Sequence, residues 1–417
     1  MQVGCRFFKS MERVEQIEVS GKHLKLRIVA FALAVVIGIS AFAVAFRQMA
    51  NREPGYYEIT ATRDETAPLY ANGVTLYCYF GGESNAIKEK LRESEGLYSE
   101  SLGRIYRLLE PRETFDGYVN LATLNQHPGE PVALPAELFA ALTDAQERAE
   151  GLLTVPFDGA LRGIWQELLY LDEPQAFDPL RDEGQQTRFQ AVIAALSEPD
   201  AVRLVVVDPA TYTVRLEVSD ALSAVLAEYE VDAPVLDLGP LREAYTLQYV
   251  RDRLVQAGFV RGYLKTDSDL SLMLPETAEG KLLLPGYVDG QVRDAAIVSL
   301  GNGAACCPLR AFSTGDLGYY EIDGVLRHPN LGADGEPDRR LLTAWVVSPT
   351  GDVVDAALKA AVLFSTPDGL LQQRLSDFGN EGVWAAVIER AAPQTILTDP
   401  LHQDAFQPLD ENGYSFP

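Results

Sequence analysis

Between Arg27 and Arg47 the chain runs IVAFALAVVIGISAFAVAF, residues 28–46, without one charged side chain. At about 1.5 Å of rise per residue, such a helix approaches the roughly 30 Å thickness of a bilayer's hydrocarbon core. A core helix of a globular protein keeps a polar stripe toward water, and this run has none. A cleaved signal peptide is the alternative, with Ala41, Ala43 and Ala45 as small residues near its end. Its apolar region is usually shorter, however, and residues 1–27 are long for a charged leader. The reading is therefore an uncleaved transmembrane helix at 28–46, followed by a linker at 47–59 punctuated by Pro54-Gly55, and a body at 60–417. Lys22, Lys25 and Arg27 precede the span, and only Arg47 and Arg52 follow closely. That asymmetry predicts an amino terminus in the cytoplasm and a body on the outer side of the cytoplasmic membrane.

Charge separates the two parts as sharply as hydropathy does. The first fifty residues hold seven Lys/Arg against Glu12, Glu15 and Glu18, whereas the whole chain is at -25, with 60 acidic and 35 basic side chains. A body that acidic repels phosphate backbones, which excludes nucleic acid as a partner. Apolar residues at 47% suffice for a packed core. The cysteines are Cys5, Cys78, Cys306 and Cys307. None forms a C-x-x-C pair or follows the apolar run at a lipoprotein position, so a zinc ribbon and a disulfide scaffold are excluded. Vicinal Cys306 and Cys307 cannot bridge each other without strain, and pairing of either with Cys78 is left open. His23, His127, His328 and His402 show no metal-ligand spacing.

Hydrophobic periodicity places strands at 68–80, 202–207 and 211–218, and a buried strand at PVLDLG (234–239). Helices are predicted at 83–109, from Pro135 to a cap at Gly151, after Asp158 as N-cap, from Pro240 to Gly258, and at 352–364. Several short strands fill 259–347. The order is neither a clean β-α alternation nor all-β, so the fold class is α+β.

Taken singly, the polar motifs are unremarkable. GNGA (301–304) and STGD (313–316) read as turns, KTDSD (265–269) as a solvated loop that two carboxylates would let bind a cation, and DAALK (355–359) as a helical ion pair. Their order says more. FDGALRGIW (157–165), LDLGPLREAY (236–245), YLKTDSDL (263–270), STGD, RHPNLGADGEP (327–337) and DAALKAAVLF (355–364) follow one another. Together they resemble the ApbE-type FAD:protein FMN transferases, whose pattern is FDPTVGPL, DLGxIAKGYA, NxGGD, TSGD, HxxDPRTGxP and DALATALF. The resemblance spans roughly residues 60–400. It implies one α+β body that binds FAD and Mg²⁺ and transfers FMN to a Thr or Ser of an extracytoplasmic acceptor protein.

By that resemblance Phe157, Asp158, Asp237, His328, Gly315 and Asp316 would contact FAD. Asp355 and the backbone carbonyl of Pro240 would hold the metal, and Asp355 and His328 would serve catalysis. The departures bear on activity. Glu243 stands where the family has Lys, Asp267-Ser268 replace a glycine pair, and LGADG (331–335) replaces DPRTG. Lys359 replaces the Thr that completes the metal site, and an ammonium has no lone pair to offer Mg²⁺. Lys359 is expected either to stand in for the metal beside Asp355 or to be captured by Glu243. Two functions follow: a membrane-anchored FMN transferase, or a catalytically silent relative that binds flavin or a partner protein, a membrane-anchored assembly factor with an empty cavity being a third. The chain has no acceptor-like S/T-G-A-S/T segment and is not expected to be its own substrate.

Overall fold

Every residue of Leu341–Ser348 (LLTAWVVS) is buried. A strand alternates its side chains between two faces, so this one must be covered on both. The computed structural model describes residues 52–61, 73–149, 158–312 and 318–417, together with 29, 31 and 33–35. Its first half contains β1 (Gly55–Ile59), β2 (Thr75–Phe80), α1 (Ser84–Leu109), α2 (Leu121–Gln126), β3 (Pro131–Ala133), α3 (Ala136–Ala149), α4 (Gly159–Leu169), α5 (Glu183–Leu196), β4 (Val202–Asp208), β5 (Thr213–Val218) and α6 (Asp220–Glu228). The second half adds α7 (Leu241–Gln256), β6 (Gly262–Lys265), β7 (Ser271–Met273), β8 (Gly280–Val288), β9 (Gln291–Leu300), β10 (Ala305–Arg310), β11 (Tyr320–Ile322) and β12 (Val325–Arg327). It ends with β13 (Leu341–Ser348), α8 (Val353–Ser365), α9 (Leu371–Asn380), β14 (Trp384–Glu389), β15 (Ile396–Thr398) and β16 (Phe406–Pro408).

An eight-stranded antiparallel sheet in the order β1-β2-β6-β7-β10-β13-β14-β15 forms the centre. Leu76, Leu264, Leu272, Cys307, Val346 and Val387 point to one face, where α1, α7 and α8 cover them. Cys306, Trp345, Val347 and Ile388 point to the other, against the β16-β9-β8 sheet. Cys306 and Cys307 therefore lie on opposite faces, and Cys78, Cys306 and Cys307 are all free, buried thiols. Burial pushes the Cys78 and Cys306 thiols up to about 12, which keeps them protonated and inert.

A third apolar cluster joins α4 and α5 to the β11–β12 hairpin around Trp165 and Phe189. Its polar centre is a fully buried pair: Arg327 Nε and Nη2 donate to the two oxygens of Asp178 at 2.8 and 3.0 Å. Tyr320 Oη adds a third donor to Asp178 at 2.6 Å, and the guanidinium lies over the Trp165 ring. This fork-to-fork geometry fixes the hairpin that carries the chain into residues 327–337.

The long helices and the 202–208 and 213–218 strand pair stand where periodicity puts them. Residues 234–239 do not. Residues 234–238 are buried, but the segment joins no strand. Asn125 supplies the missing ladder instead: its Oδ1 accepts from Leu236 N at 2.9 Å and its Nδ2 donates to Leu236 O at 2.9 Å. One amide side chain thus does what a neighbouring strand would do, and leaves the segment free to turn into α7. The predicted span at 28–46 and the cap at Gly151 lie outside the described residues, apart from the few positions between 29 and 35. Among the described residues no helix is long and apolar enough to cross a membrane.

Asn125→Ala would leave both polar backbone groups of fully buried Leu236 unpaired. At about 1–3 kcal/mol per group, a destabilisation of roughly 2–6 kcal/mol is expected, read as a lower urea midpoint at unchanged m-value.

Candidate functional site

The segment that Asn125 holds runs directly into the site. Asp158 heads α4 but does not cap it, contrary to expectation: no backbone N–H reaches its side chain. Its Oδ1 instead accepts from Arg162 Nη2, one turn along, at 2.6 Å. Both residues are buried, at 8% exposure each. Asp237 presents a second carboxylate to the same guanidinium while its Oδ1 accepts from Gly239 N at 3.0 Å. Burial opposes the charge on Arg162, but Asp158 and Asp237 more than offset it and raise its pKa above the ordinary arginine value. Gly239 is demanded twice: φ is +53°, and a Cβ there would sit 2.3 Å from Arg162 Cζ.

Arg162 stands between two adjoining cavities. The larger, about 450 Å³, is walled mainly by apolar side chains, among them Leu161, Ile193, Leu196, Leu331 and Phe364, with Asp158 at its edge. The smaller, about 240 Å³, has more charged groups in its wall, Asp237, Arg242, Glu243 and Arg310 beside Tyr319. Arg162, Pro240, Pro329 and Asn330 line both.

The 327–337 loop closes the shared wall. Asn330 Nδ2 donates to Arg310 O at 2.7 Å, and Trp165 Nε1 donates to Gly335 O at 3.1 Å. His328 stands behind that wall rather than in it. It is fully buried, and its ring is held at both ends: Asn330 N donates to Nδ1 at 3.2 Å, while Nε2 lies 2.7 Å from Asp338 O. An N–H donor at Nδ1 and a carbonyl acceptor at Nε2 specify the neutral Nε2–H tautomer. Burial lowers its pKa to about 4. As placed, His328 positions Asn330 and lines neither cavity.

Glu243 does not capture Lys359, the second of the two outcomes expected for that lysine. Glu243 bonds to Ser268 Oγ, and burial pushes its carboxyl up against the opposing hydrogen bonds of Ser268 and Thr266. Asp269, in KTDSD, binds Lys265 and Arg310 at 2.7 and 2.9 Å, so its loop anchors an arginine of the smaller cavity rather than a cation from solution. Lys359 Nζ lies 2.6 Å from both oxygens of Asp355, one helical turn back, and 3.0 Å from Glu381 at the end of α9. The ammonium also lies over the Phe378 ring, 5.5 Å from its centroid.

This donor set does not fit magnesium. Three carboxylate contacts account for the three N–H donors of Lys359, and Asp355 gives both oxygens to the ammonium. Among the described residues no group of three His, Cys, Asp or Glu could hold a metal. Pro240 lines both cavities and Asp355 neither, so the expected ligand pair shares no cavity. Phe157, Gly315 and Asp316 lie outside the described residues. Sequence reasoning passed over Arg162, Arg242, Arg310 and Asn330. The Asp158–Arg162 spacing was a usable signal for the first, since i and i+4 meet on a helix; the other three come together only through the sheet and the 327–337 loop.

No family model and no curated protein matches the sequence. Solved structures do. The ApbE protein of Thermotoga maritima superposes with a TM-score of 0.58 at 16% identity, over 84% of this chain and 99% of that one. The apo flavinyl transferase ApbE of Pseudomonas stutzeri superposes at 0.51 and 13% identity, over 85% and 98%. The body thus has an ApbE-like fold.

The buried neutral imidazole makes stability acid-sensitive. The folded His328 pKa of about 4 lies below the ordinary 6.5, so its contribution is complete above pH 6.5 and is lost as pH falls through about 4. The swing is about 3 kcal/mol. Urea midpoints measured between pH 7 and pH 4.5 should fall less steeply in His328→Gln than in the wild type.

Proposed function

We propose that this chain binds FAD across the two cavities and transfers its FMN half to a Ser or Thr hydroxyl of a partner protein. The observation that carries this reading is the arrangement around Arg162: an apolar chamber suited to a flat ring system opens beside a chamber lined by three arginines, suited to phosphates. Asp158 and Asp237, two of the residues the resemblance assigns to FAD, flank that arginine. The ApbE-like fold supports the same reading. In the transfer the acceptor oxygen bonds to the FMN phosphorus, the bond from that phosphorus to the bridging oxygen breaks, and AMP leaves with the electron pair. The hydroxyl proton passes to Glu243, whose burial brings its carboxyl closer to the range of a general base at neutral pH. The reaction runs outside the cytoplasmic membrane, where residues 28–46 anchor the body.

A second reading, a flavin binder without transfer, is favoured by the closed Lys359–Asp355–Glu381 cluster, since phosphoryl transfer relies on preorganised positive charge.

Purified protein should carry a flavin absorbance band after incubation with FAD. With an extracytoplasmic protein fraction added, in-gel fluorescence should reveal a covalently flavinylated acceptor. Glu243→Gln should retain bound FAD and slow labelling about a hundredfold, with the wild-type rate rising with pH through the shifted carboxyl pKa. Bound flavin with no labelled acceptor selects the second reading, and a colourless protein removes both. For topology, protease added to spheroplasts should digest the body and spare residues 1–27; a protected body would overturn the location.

A further inference from the structure

We propose that this protein holds the diphosphate of its ligand without a divalent cation, with Arg162, Arg242 and Arg310 supplying the counter-charge. The inference rests on the flavin reading only for the identity of the ligand; the anion site stands on its own geometry.

Arg162 is the first ground. The side chain is only 8% exposed yet lines both cavities, and the one hydrogen bond it makes among the described residues, from Nη2 to Asp158, leaves donors of the guanidinium unengaged. A guanidinium on a cavity wall with donors to spare calls for an acceptor, and a phosphate oxygen is the acceptor that also matches its charge. In the pattern FDPTVGPL the corresponding sixth residue is glycine, so this cation is an addition of the present chain.

Charge is the second. In a chain at -25, anions are repelled from the surface at large, and a site for them needs local cations. The smaller cavity is lined by three guanidiniums and two carboxyls, while Asp158, Asp269 and Glu110 pair with the arginines without lining it. Asp237 is held by Gly239 N, and Glu243 by Ser268. Arg310 is fixed in place by Asp269 at 2.9 Å, and Arg242 by Glu110 at 3.5 Å.

The third ground is that the metal's place is taken. Lys359 spends its donors on Asp355 and Glu381, and neither Asp355 nor Lys359 lines a cavity. The lysine is therefore a lock for α8 and α9 and does not touch the ligand. The arginines take over the electrostatic part.

Calorimetric titration of the purified full-length protein in EDTA, with FAD, inorganic pyrophosphate and riboflavin as probes, tests this. FAD and pyrophosphate should bind in EDTA, with affinities changing less than about twofold on adding excess Mg²⁺, and riboflavin should bind far more weakly than FAD. Arg162→Leu risks the fold by stranding two buried carboxylates. Arg242→Gln, at a half-buried position, is the safer variant and should weaken FAD and pyrophosphate about tenfold while leaving riboflavin unchanged. FAD and pyrophosphate binding that requires Mg²⁺, or an Arg242→Gln variant that binds both as the wild type does, would overturn the inference and leave the flavin reading standing. Pyrophosphate binding in EDTA without FAD binding would do the reverse.

Discussion

The contact on which the site depends is the salt bridge between Arg162 and Asp158, backed by Asp237. Moving one ion out of water costs several kcal/mol even after relaxation, so a buried guanidinium survives only where carboxylates surround it. Here they come from two segments far apart in sequence, the head of α4 and the turn before α7. The pair therefore fixes the angle between those elements, and with it the wall dividing the two cavities. Gly239 follows from the same contact, because a side chain at that turn would collide with the guanidinium it faces. Asn125 is the next link back: by pairing with both backbone groups of Leu236 it sets the residue immediately before Asp237.

The remaining scaffold is arranged to keep that geometry rigid. β13 is covered on both faces, so its flanking strand β10 and helix α8 are each packed from two sides. β10 carries Cys307 and Arg310 to the smaller cavity, and α8 carries Phe364 to the larger. The 327–337 loop, which would otherwise be the mobile part of the wall, is held at Asn330, Gly335 and His328. A site on packed strands and a pinned loop is preorganised, which is the condition for binding charge in a protein that is itself strongly negative.

Much of the fold was legible in the sequence where burial follows a simple period. The α+β class, the long helices and the β4–β5 pair emerge from alternation and turn chemistry alone. The failures share a cause: a side chain took a role that the local pattern assigns to backbone, or the reverse. PVLDLG reads as a strand because it is apolar, but its hydrogen bonds come from Asn125, more than a hundred residues away. Asp158 reads as a helix cap, but a nearer arginine competes for its oxygen and wins, since a charge-assisted bond outweighs a cap of about 1 kcal/mol. Of the expected flavin contacts, Asp158 and Asp237 meet at Arg162, while His328 stands one layer back. Arg162 had a signal in its i, i+4 spacing from Asp158, but nothing in the sequence links residues 162, 242 and 310, which sit on two helices and a strand brought together by the fold.

Lys359 shows how a substitution at an expected metal position changes more than the chemistry. A site built from carboxylates around an ion gains its stability only when the ion binds, so folding and loading are coupled. An ammonium tethered to the helix removes that dependence: Asp355 and Glu381 find their counter-charge within the chain, and α8 is joined to the end of α9 whatever the ionic conditions. The exchange is unequal for electrostatics, since one tethered positive charge with all three donors engaged cannot polarise a phosphate as a divalent ion with open positions does. Positive charge for a ligand must then come from residues whose donors are not exhausted. Arg162, which lines both cavities and gives Asp158 only one hydrogen bond, meets that requirement.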